Sequence, residues 1–288
     1  SLFAALTLGR LAELCRMRGE PGDEYDALAE ALRSAVEAHG YDGEHYIRGY
    51  LDNGKPFGKT GDEVCEIDVL PQAFAAFAGL DRSRVLSSLG CVYDRLYDEK
   101  NRLVKLFDPP FDGQSGIGYI TSYPPGVREN GGQYTHGAIW GAASFFAAGM
   151  AHKGYELLKA ADPVRRCGDA DAFLRYGREP YALCGDIYTA NGLAGRGGWS
   201  WYTGAAGWYF RTVLEYLLGY REHDGGFEIS PSYCSEFSRF SLTVRRHGTV
   251  FRINAENVKK QTAFDGVPAK NTFFRFDGGD HTLDIGAN

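Results

Sequence analysis

No two of the six cysteines, Cys15, Cys65, Cys91, Cys167, Cys184 and Cys234, stand at C-x-x-C spacing. The sequence therefore offers neither a zinc knuckle nor a small disulfide scaffold, and a reducing cytoplasm is the compartment that suits it. Basic residues form no run: 31 of them stand against 37 acidic ones, a net charge of -6. That balance disfavours a nucleic-acid partner, whose row of phosphates needs a matching row of cations. No apolar stretch reaches the roughly 18 to 20 residues of a membrane-spanning helix, and the first residues lack the basic segment and apolar core of an export signal. The patterns G-x-G-x-x-G, Walker A, H-E-x-x-H and G-x-S-x-G are all missing, which removes the usual marks of dinucleotide, nucleotide, zinc-protease and serine-hydrolase chemistry. An initiator methionine is missing too, and residue 1 falls at once into a helical pattern. The expectation is that this chain is the later part of a longer protein.

What is present is a large apolar complement, 44% of 288 residues, enough for a sizeable core. Helical spacing runs from Leu2 to Arg18 and stops at Gly19, Pro21 and Gly22. Asp23 then stands where an N-cap would, ahead of Tyr25, Leu28, Leu32, Ala35 and Val36 on one face. Between Gly40 and Lys59 the period is lost, and the turn signal Asp52-Asn53-Gly54 predicts a short hairpin or an ordered loop. Helices are predicted again from Asp68 to Gly79 and from Arg82 to Tyr97, with Glu63, Glu66 and Asp68 as a solvated face and an N-cap. A Gly/Pro-rich stretch, Phe107 to Gly132, precedes helical patterns over Tyr134 to Met150 and Gly154 to Ala160. A second glycine-rich loop at Gly192 to Gly198 precedes another from Thr203 to Leu218. After Asp224 the period becomes two, as in Phe240, Leu242, Val244 and then Phe251, Ile253. These patterns predict a mainly α protein with a β appendage: residues 1–224 form part of an α-toroid and residues 225–288 a small β domain.

Three segments concentrate polar chemistry. In YPPGVRENGGQYTH, Tyr123 to His136, Arg128, Glu129, Asn130 and His136 surround paired glycines in a loop that opens a helix. The free N–H groups of such a helix start suit an anion such as phosphate; the alternative is that Asn130 and Thr135 merely cap the helix. In GRGGWSWYTGAAGW, Gly195 to Trp208, Trp199, Trp201 and Trp208 crowd a glycine-rich turn. Aromatic faces stack on pyranose rings, and Thr203 with the N–H of Gly204 would bind an oxyanion at the helix start; the alternative is that the tryptophans are core. In YDGEHYIRGYLDNGKPFG, Tyr41 to Gly58, Asp42, Glu44, Arg48 and Asp52 offer paired carboxylates for acid/base work on a glycosidic bond, although Asp42-Gly43 and Asp52-Asn53-Gly54 also read as turns.

Together with IDVLPQAFA, EPY at Glu179 to Tyr181, FRINAENV and FDG, these segments resemble the inverting β-glycoside phosphorylases of glycoside hydrolase family 94. That family includes cellobiose, chitobiose and oligoglucan phosphorylases and the C-terminal domain of cyclic β-1,2-glucan synthase. The resemblance implies the second half of an (α/α)6 barrel followed by a small C-terminal β domain. The implied reaction is phosphorolysis, and the reverse synthesis, of a β-linked glucoside, a β-1,2-glucan or a gluco-oligosaccharide, giving α-glucose 1-phosphate with inversion. No metal and no organic cofactor is implied; inorganic phosphate is the co-substrate. The family's phosphate-binding positions fall on His136, Thr203 and Gly204, and its sugar-binding pair on Arg128 and Glu129; Trp199, Trp201, Asp42 and Arg48 complete the expected sugar contacts. The family's general acid is an aspartate in a GDWNDG-like motif that this sequence lacks; it is expected upstream of Ser1, which leaves the isolated chain without turnover. Further departures are His45, where the family often carries Trp, and Gly185, where disaccharide phosphorylases carry a sugar-binding Gln. A homodimer, and a cytoplasmic or inner-membrane-associated parent, are what the resemblance allows. Two alternatives stand beside it: an inverting hydrolase of similar barrel fold, with Glu129 as second carboxylate, and a non-catalytic carbohydrate-binding module.

Overall fold

The computed structural model describes residues 1–114, 117–201, 203–258 and 261–286, and of Thr203 the backbone alone. The chain opens with an antiparallel pair, α1 (Leu2–Met17) and α2 (Asp23–His39). Asp23 is the first helical residue and Gly22 the cap. The pair closes tightly there, since a Cβ on Gly22 would meet the Ala12 carbonyl oxygen at 2.6 Å. Asp23, Glu24 and Asp26 instead fill the first turn of α2, where its dipole favours negative charge. The predicted periodicity is real, yet only Ala5, Ala12 and Ala29 of the two helices are buried, while Leu11, Leu14, Met17 and Leu28 lie exposed.

The segment without helical period forms a hairpin, β1 (Gly49–Tyr50) with β2 (Pro56–Phe57), around the predicted turn. β3 (Ile67–Asp68) then runs into α3 (Val69–Phe77), and Asp68 caps that helix by accepting from the Leu70 N–H at 2.7 Å. The expected solvated setting of Asp68 is not found: its side chain is fully buried and its other carboxylate oxygen accepts from Arg48. α4 (Arg82–Leu96) leads through β4 (Tyr97–Asp98) and β5 (Leu103–Val104) to β6 (Phe107–Asp108), which pairs with β3. Leu89, Val92, Leu96, Val104 and Phe107 make one side of the main core.

Within the Gly/Pro-rich stretch, buried Asn130 ties Phe111 to Tyr123: it accepts from the Phe111 N–H at 2.8 Å and donates to the carbonyls of Phe111 and Tyr123. Asn130 therefore does not cap the helix that follows. β7 (Gln133–Tyr134) passes directly into α5 (Thr135–Ala147), buried almost all round as a central helix must be. α6 (Ala151–Ala161) packs against it. Two short helices, α7 (Pro163–Arg166) and α8 (Ala170–Tyr176), have no counterpart in the sequence patterns. Each starts on an aspartate cap, Asp162 or Asp169, and is too short to show a period. After β8 (Asp186–Ile187), α9 (Thr203–Thr212) continues into a π-helical turn, Val213–Leu217.

The period-two region after Asp224 folds as expected into strands, but the strands begin before it: β9 (Tyr220–His223) forms a hairpin with β10 (Gly226–Ile229). Next come β11 (Arg239–Arg246), β12 (Thr249–Glu256), β13 (Ala263–Phe264), β14 (Val267–Pro268), β15 (Phe273–Arg275) and β16 (Asp280–Ile285). One sheet has the order β15-β10-β9 and the other β11-β12-β16-β13-β14, with β12 and β16 parallel. Phe227, Phe251, Ile253, Phe274 and Leu283, drawn from both sheets, form an apolar cluster distinct from that of the helices. All six cysteines are free, and among the described residues no helix is long and apolar enough to cross a membrane.

In the β region, His281 stacks on Phe251 and Phe264 and is gripped by Asp265 at 2.8 Å and Asp277 at 2.9 Å. Those hydrogen bonds raise the imidazole pKa above 6.5, and they lower those of both carboxyls below 3.8. The imidazolium's contribution to stability is therefore complete below pH 6.5 and is lost as pH rises through the raised value. That of the aspartates is complete above 3.8 and is lost on acidification through their lowered values. His281→Asn is expected to flatten the fall in melting temperature above pH 6.5; an unchanged profile in a pH series of thermal melts would refute the assignment.

Candidate active site

The two glycine-rich loops predicted to carry function are joined through a third segment, residues 185–190. β7 pairs with β8, Gln133 opposite Ile187 and Tyr134 opposite Asp186, and the Thr135 N–H donates to the Gly185 carbonyl at 3.0 Å. On the other side, the Gly185 N–H donates to the Trp199 carbonyl at 2.6 Å and the Gly198 N–H to that of Asp186 at 2.9 Å. Thr189 secures the first loop again, its N–H donating to Gly126 and its hydroxyl to Gly131. Gly126, at φ +77°, could not carry a side chain, since a Cβ would lie 2.4 Å from the Ala190 nitrogen.

This joining brings two helix starts together. α5 begins at Thr135 without a side-chain cap, and His136 is its second residue. Gly204 is the second residue of α9, and a Cβ there would touch His136 Cε1 at 3.4 Å and Nδ1 at 3.5 Å. Each start carries the positive end of a helix dipole, an arrangement that attracts an anion. The His136 ring rests on Trp140 at 4.3 Å, with Trp208 at 6.1 Å. Burial lowers its pKa from the usual 6.5, disfavouring the charged imidazolium. His136 Nε2 and Trp140 Nε1 are both buried without a hydrogen-bond partner, a state that buried polar atoms rarely keep. The Thr203 side chain lies outside the described residues.

The sugar-side candidates form a second corner. Arg128 has φ +54°, uncommon for a residue with a side chain. Its guanidinium lies over the rings of Tyr123 at 5.3 Å and Trp199 at 5.8 Å, and its Nε is 3.9 Å from Glu129 Oε2. Beside them is a residue that the sequence patterns did not single out, Asp186, only 4% exposed. Burial raises its carboxyl pKa and Glu129 adds to that, against the Trp199 N–H and Arg128, which lower it. Arg128 Nε, Glu129 Oε2 and Asp186 Oδ2 all lack hydrogen-bond partners, so the corner holds polar groups suited to the hydroxyls of a ligand. Trp199 and Trp201 are exposed, which overturns the core alternative for both; Trp208 is the one that packs, edge-on to Trp140.

Asp42 and Arg48 are held elsewhere, between α2 and α3. Asp42 accepts from the N–H groups of Glu44, His45 and Thr60; burial alone would raise its pKa, but these donors outweigh it and the carboxyl lies below 3.8. Arg48 pairs with Asp68. Among the described residues no three His, Cys, Asp or Glu side chains converge as metal ligands would.

Gly198 supplies a test of this packing. A Cβ there would fall 2.4 Å from both Asp186 carboxylate oxygens. Gly198→Ala is expected to cost about 1 to 3 kcal/mol and to weaken sugar binding at the same time. Calorimetry and thermal melts showing neither loss would mean that the Trp199 segment is not fixed by Asp186.

Comparison with known proteins follows the same lines. The family model "Glycosyl hydrolase 94 superfamily, catalytic domain" matches residues 1–219. Over 233 residues the sequence is 40% identical to cyclic beta-(1,2)-glucan synthase NdvB of Rhizobium meliloti (strain 1021), covering 80% of this chain and 8% of that protein. It is 27% identical over 290 residues to solabiose phosphorylase of Paenibacillus borealis, covering 96% and 37%. It is 26% identical over 257 residues to N,N'-diacetylchitobiose phosphorylase of Vibrio proteolyticus, covering 87% and 32%. The chain spans at most 37% of the length of these relatives.

Proposed function

The chain belongs to the glycosyl hydrolase 94 superfamily, and on that premise we propose that it forms the phosphate- and sugar-holding part of an enzyme that phosphorolyses β-linked glucosides, and in reverse makes them, with inversion. The observation that carries this proposal is the meeting of the α5 and α9 starts, with the His136 ring against Gly204. What supports phosphate there is that the α5 and α9 starts lie on either side of the His136 ring, whose Cε1–Nδ1 edge is turned toward Gly204. Its attacking oxygen displaces the glycosidic oxygen directly, so the bond to phosphate forms as the bond to the leaving sugar breaks, and the product is α-glucose 1-phosphate. His136, Gly204 and Thr203 bind and orient the phosphate; Arg128 and Glu129, with the exposed Trp199 and Trp201, hold sugar. Protonation of the leaving oxygen is assigned to none of these residues. No metal or organic cofactor enters the scheme.

The preferred substrate is a β-1,2-linked glucan or gluco-oligosaccharide, in keeping with the 40% identity to a cyclic β-1,2-glucan synthase. Residues 1–224 are assigned to the catalytic unit, as half of an (α/α)6 barrel, and residues 225–288 to a β domain; the separate apolar cluster around Phe251 supports a distinct β unit, though one that begins at β9, since Tyr220 belongs to that cluster. The test is to incubate the full natural gene product with α-glucose 1-phosphate and a panel of glucose acceptors and to follow phosphate release. Release that His136→Ala and Thr203→Ala both abolish is the expected result. Glucose liberated from oligosaccharides without phosphate would favour a hydrolase, and sugar binding that is indifferent to phosphate, without turnover, a binding module.

A further inference from the structure

A groove of about 620 Å³ opens along the Trp199 segment, lined among others by Phe173, Arg178, Glu179, Tyr181 and Ser200. Its aromatic side chains are not where apolar side chains normally settle: Phe173 is 42% exposed, Tyr181 69%, Trp199 59% and the neighbouring Trp201 66%. An exposed strip of this kind marks a binding surface. Trp201 is also held at φ +63°, a genuine outlier for a bulky residue. The groove side restrains it: its indole N–H donates to Glu179 Oε1 at 3.2 Å and its ring meets that of Tyr181 edge-on at 5.9 Å. Backbone strain maintained by specific contacts at a surface is a mark of a site. Arg178 is fixed as well, donating to the carbonyls of Gly177 and Gly198.

The chemistry of the strip selects its occupant. Aromatic rings interleaved with a carboxylate, a guanidinium and a hydroxyl suit a ligand that is apolar on its ring faces and polar at its rim, as a pyranose is. The strip is also continuous with the sugar-side corner, because the Trp199 ring that lines the groove is the one that the Arg128 guanidinium covers at 5.8 Å.

We propose that the groove is a distal subsite which holds further glucose units of a β-linked oligosaccharide whose end unit lies at Arg128 and Glu129, so that the site is built for chains rather than for disaccharides. This rests on the glycoside function proposed above. Tyr181 and Phe173 are the residues that would give it its length preference, and both are exposed enough to be replaced without disturbing the core.

The test titrates the full natural gene product with β-1,2-linked glucose di-, tri- and pentasaccharides, following tryptophan fluorescence, beside its Tyr181→Ala and Phe173→Ala variants. The wild-type ratio of pentasaccharide to disaccharide affinity is expected to be about tenfold, and Tyr181→Ala is expected to bring it close to one. A wild-type ratio near one, or a tenfold ratio that survives both substitutions, overturns the subsite while leaving the glycoside function standing. No affinity for any of the saccharides, with or without phosphate, overturns both. Self-association that buries the strip, detected by sedimentation together with a ratio near one, would assign the aromatics to a protein contact instead.

Discussion

Replacing His136 with alanine in the full natural gene product is expected, on the function proposed above, to lower kcat/KM for phosphorolysis by about a hundred- to a thousandfold, the usual effect of deleting one preorganised donor to an oxyanion. The loss should appear when phosphate is varied at saturating sugar, in KM for phosphate and in kcat together. The reason is in the packing. His136 packs against Trp140 at 4.3 Å with Trp208 at 6.1 Å, so its ring is held before any ligand arrives. Its nitrogen Nε2 has no protein partner to leave when phosphate binds. The fold should tolerate the change, because the ring is only half-buried and caps no helix. A loss below about threefold, measured on protein with an unaltered melting temperature, would remove His136 from the phosphate site.

Asp68→Ala is expected to be the most destabilising change in the helical part, at about 2 to 4 kcal/mol. Two contributions combine: loss of the α3 cap, where the carboxylate accepts from the Leu70 N–H, and loss of the partner of Arg48. Arg48 is 29% exposed and can turn its charge toward water, which keeps the figure below that for a wholly buried pair. Arg48→Ala leaves the opposite orphan, a fully buried carboxylate without its cation, and should cost a similar amount. Urea unfolding of the two variants checks the pairing. It also decides what Arg48 does: a variant that melts normally yet loses sugar affinity would make Arg48 a sugar contact, and one that loses stability alone would make it a support for α3.

The sequence carried its long-range architecture where elements were long enough to show a period. α2 and α4 were legible from end to end, and the switch to period two marked the strands that surround Phe251. The glycine-rich loops were legible by composition, because few reasons exist to crowd Arg128, Glu129 and His136 around paired glycines. What joins those loops was not. β8 is only two residues long, too short for any period, so Asp186 gave no sign that it is a buried carboxyl beneath Trp199. The setting of Asp68 was hidden for a different reason. Its charge partner is twenty residues away, and an acidic residue ahead of a helix looks the same locally whether water or an arginine faces it. The exposure of Trp199 and Trp201 was legible only as one of two readings, since tryptophans crowded beside glycines read either as ligand contacts or as core until the fold places them.

Residues 185–190 hydrogen-bond to both loops, through Thr135, Gly126 and Gly131 on one side and Gly198 and Trp199 on the other. A ligand that orders one loop therefore meets part of the entropy of ordering the other, and the second ligand finds that cost already met. Phosphate and sugar should for this reason bind as a thermodynamically linked pair, each tightening the other by the same factor. Titrating either ligand in the presence and absence of its counterpart measures that factor twice, and a value of one in both directions would mean that the shared segment is rigid from the start.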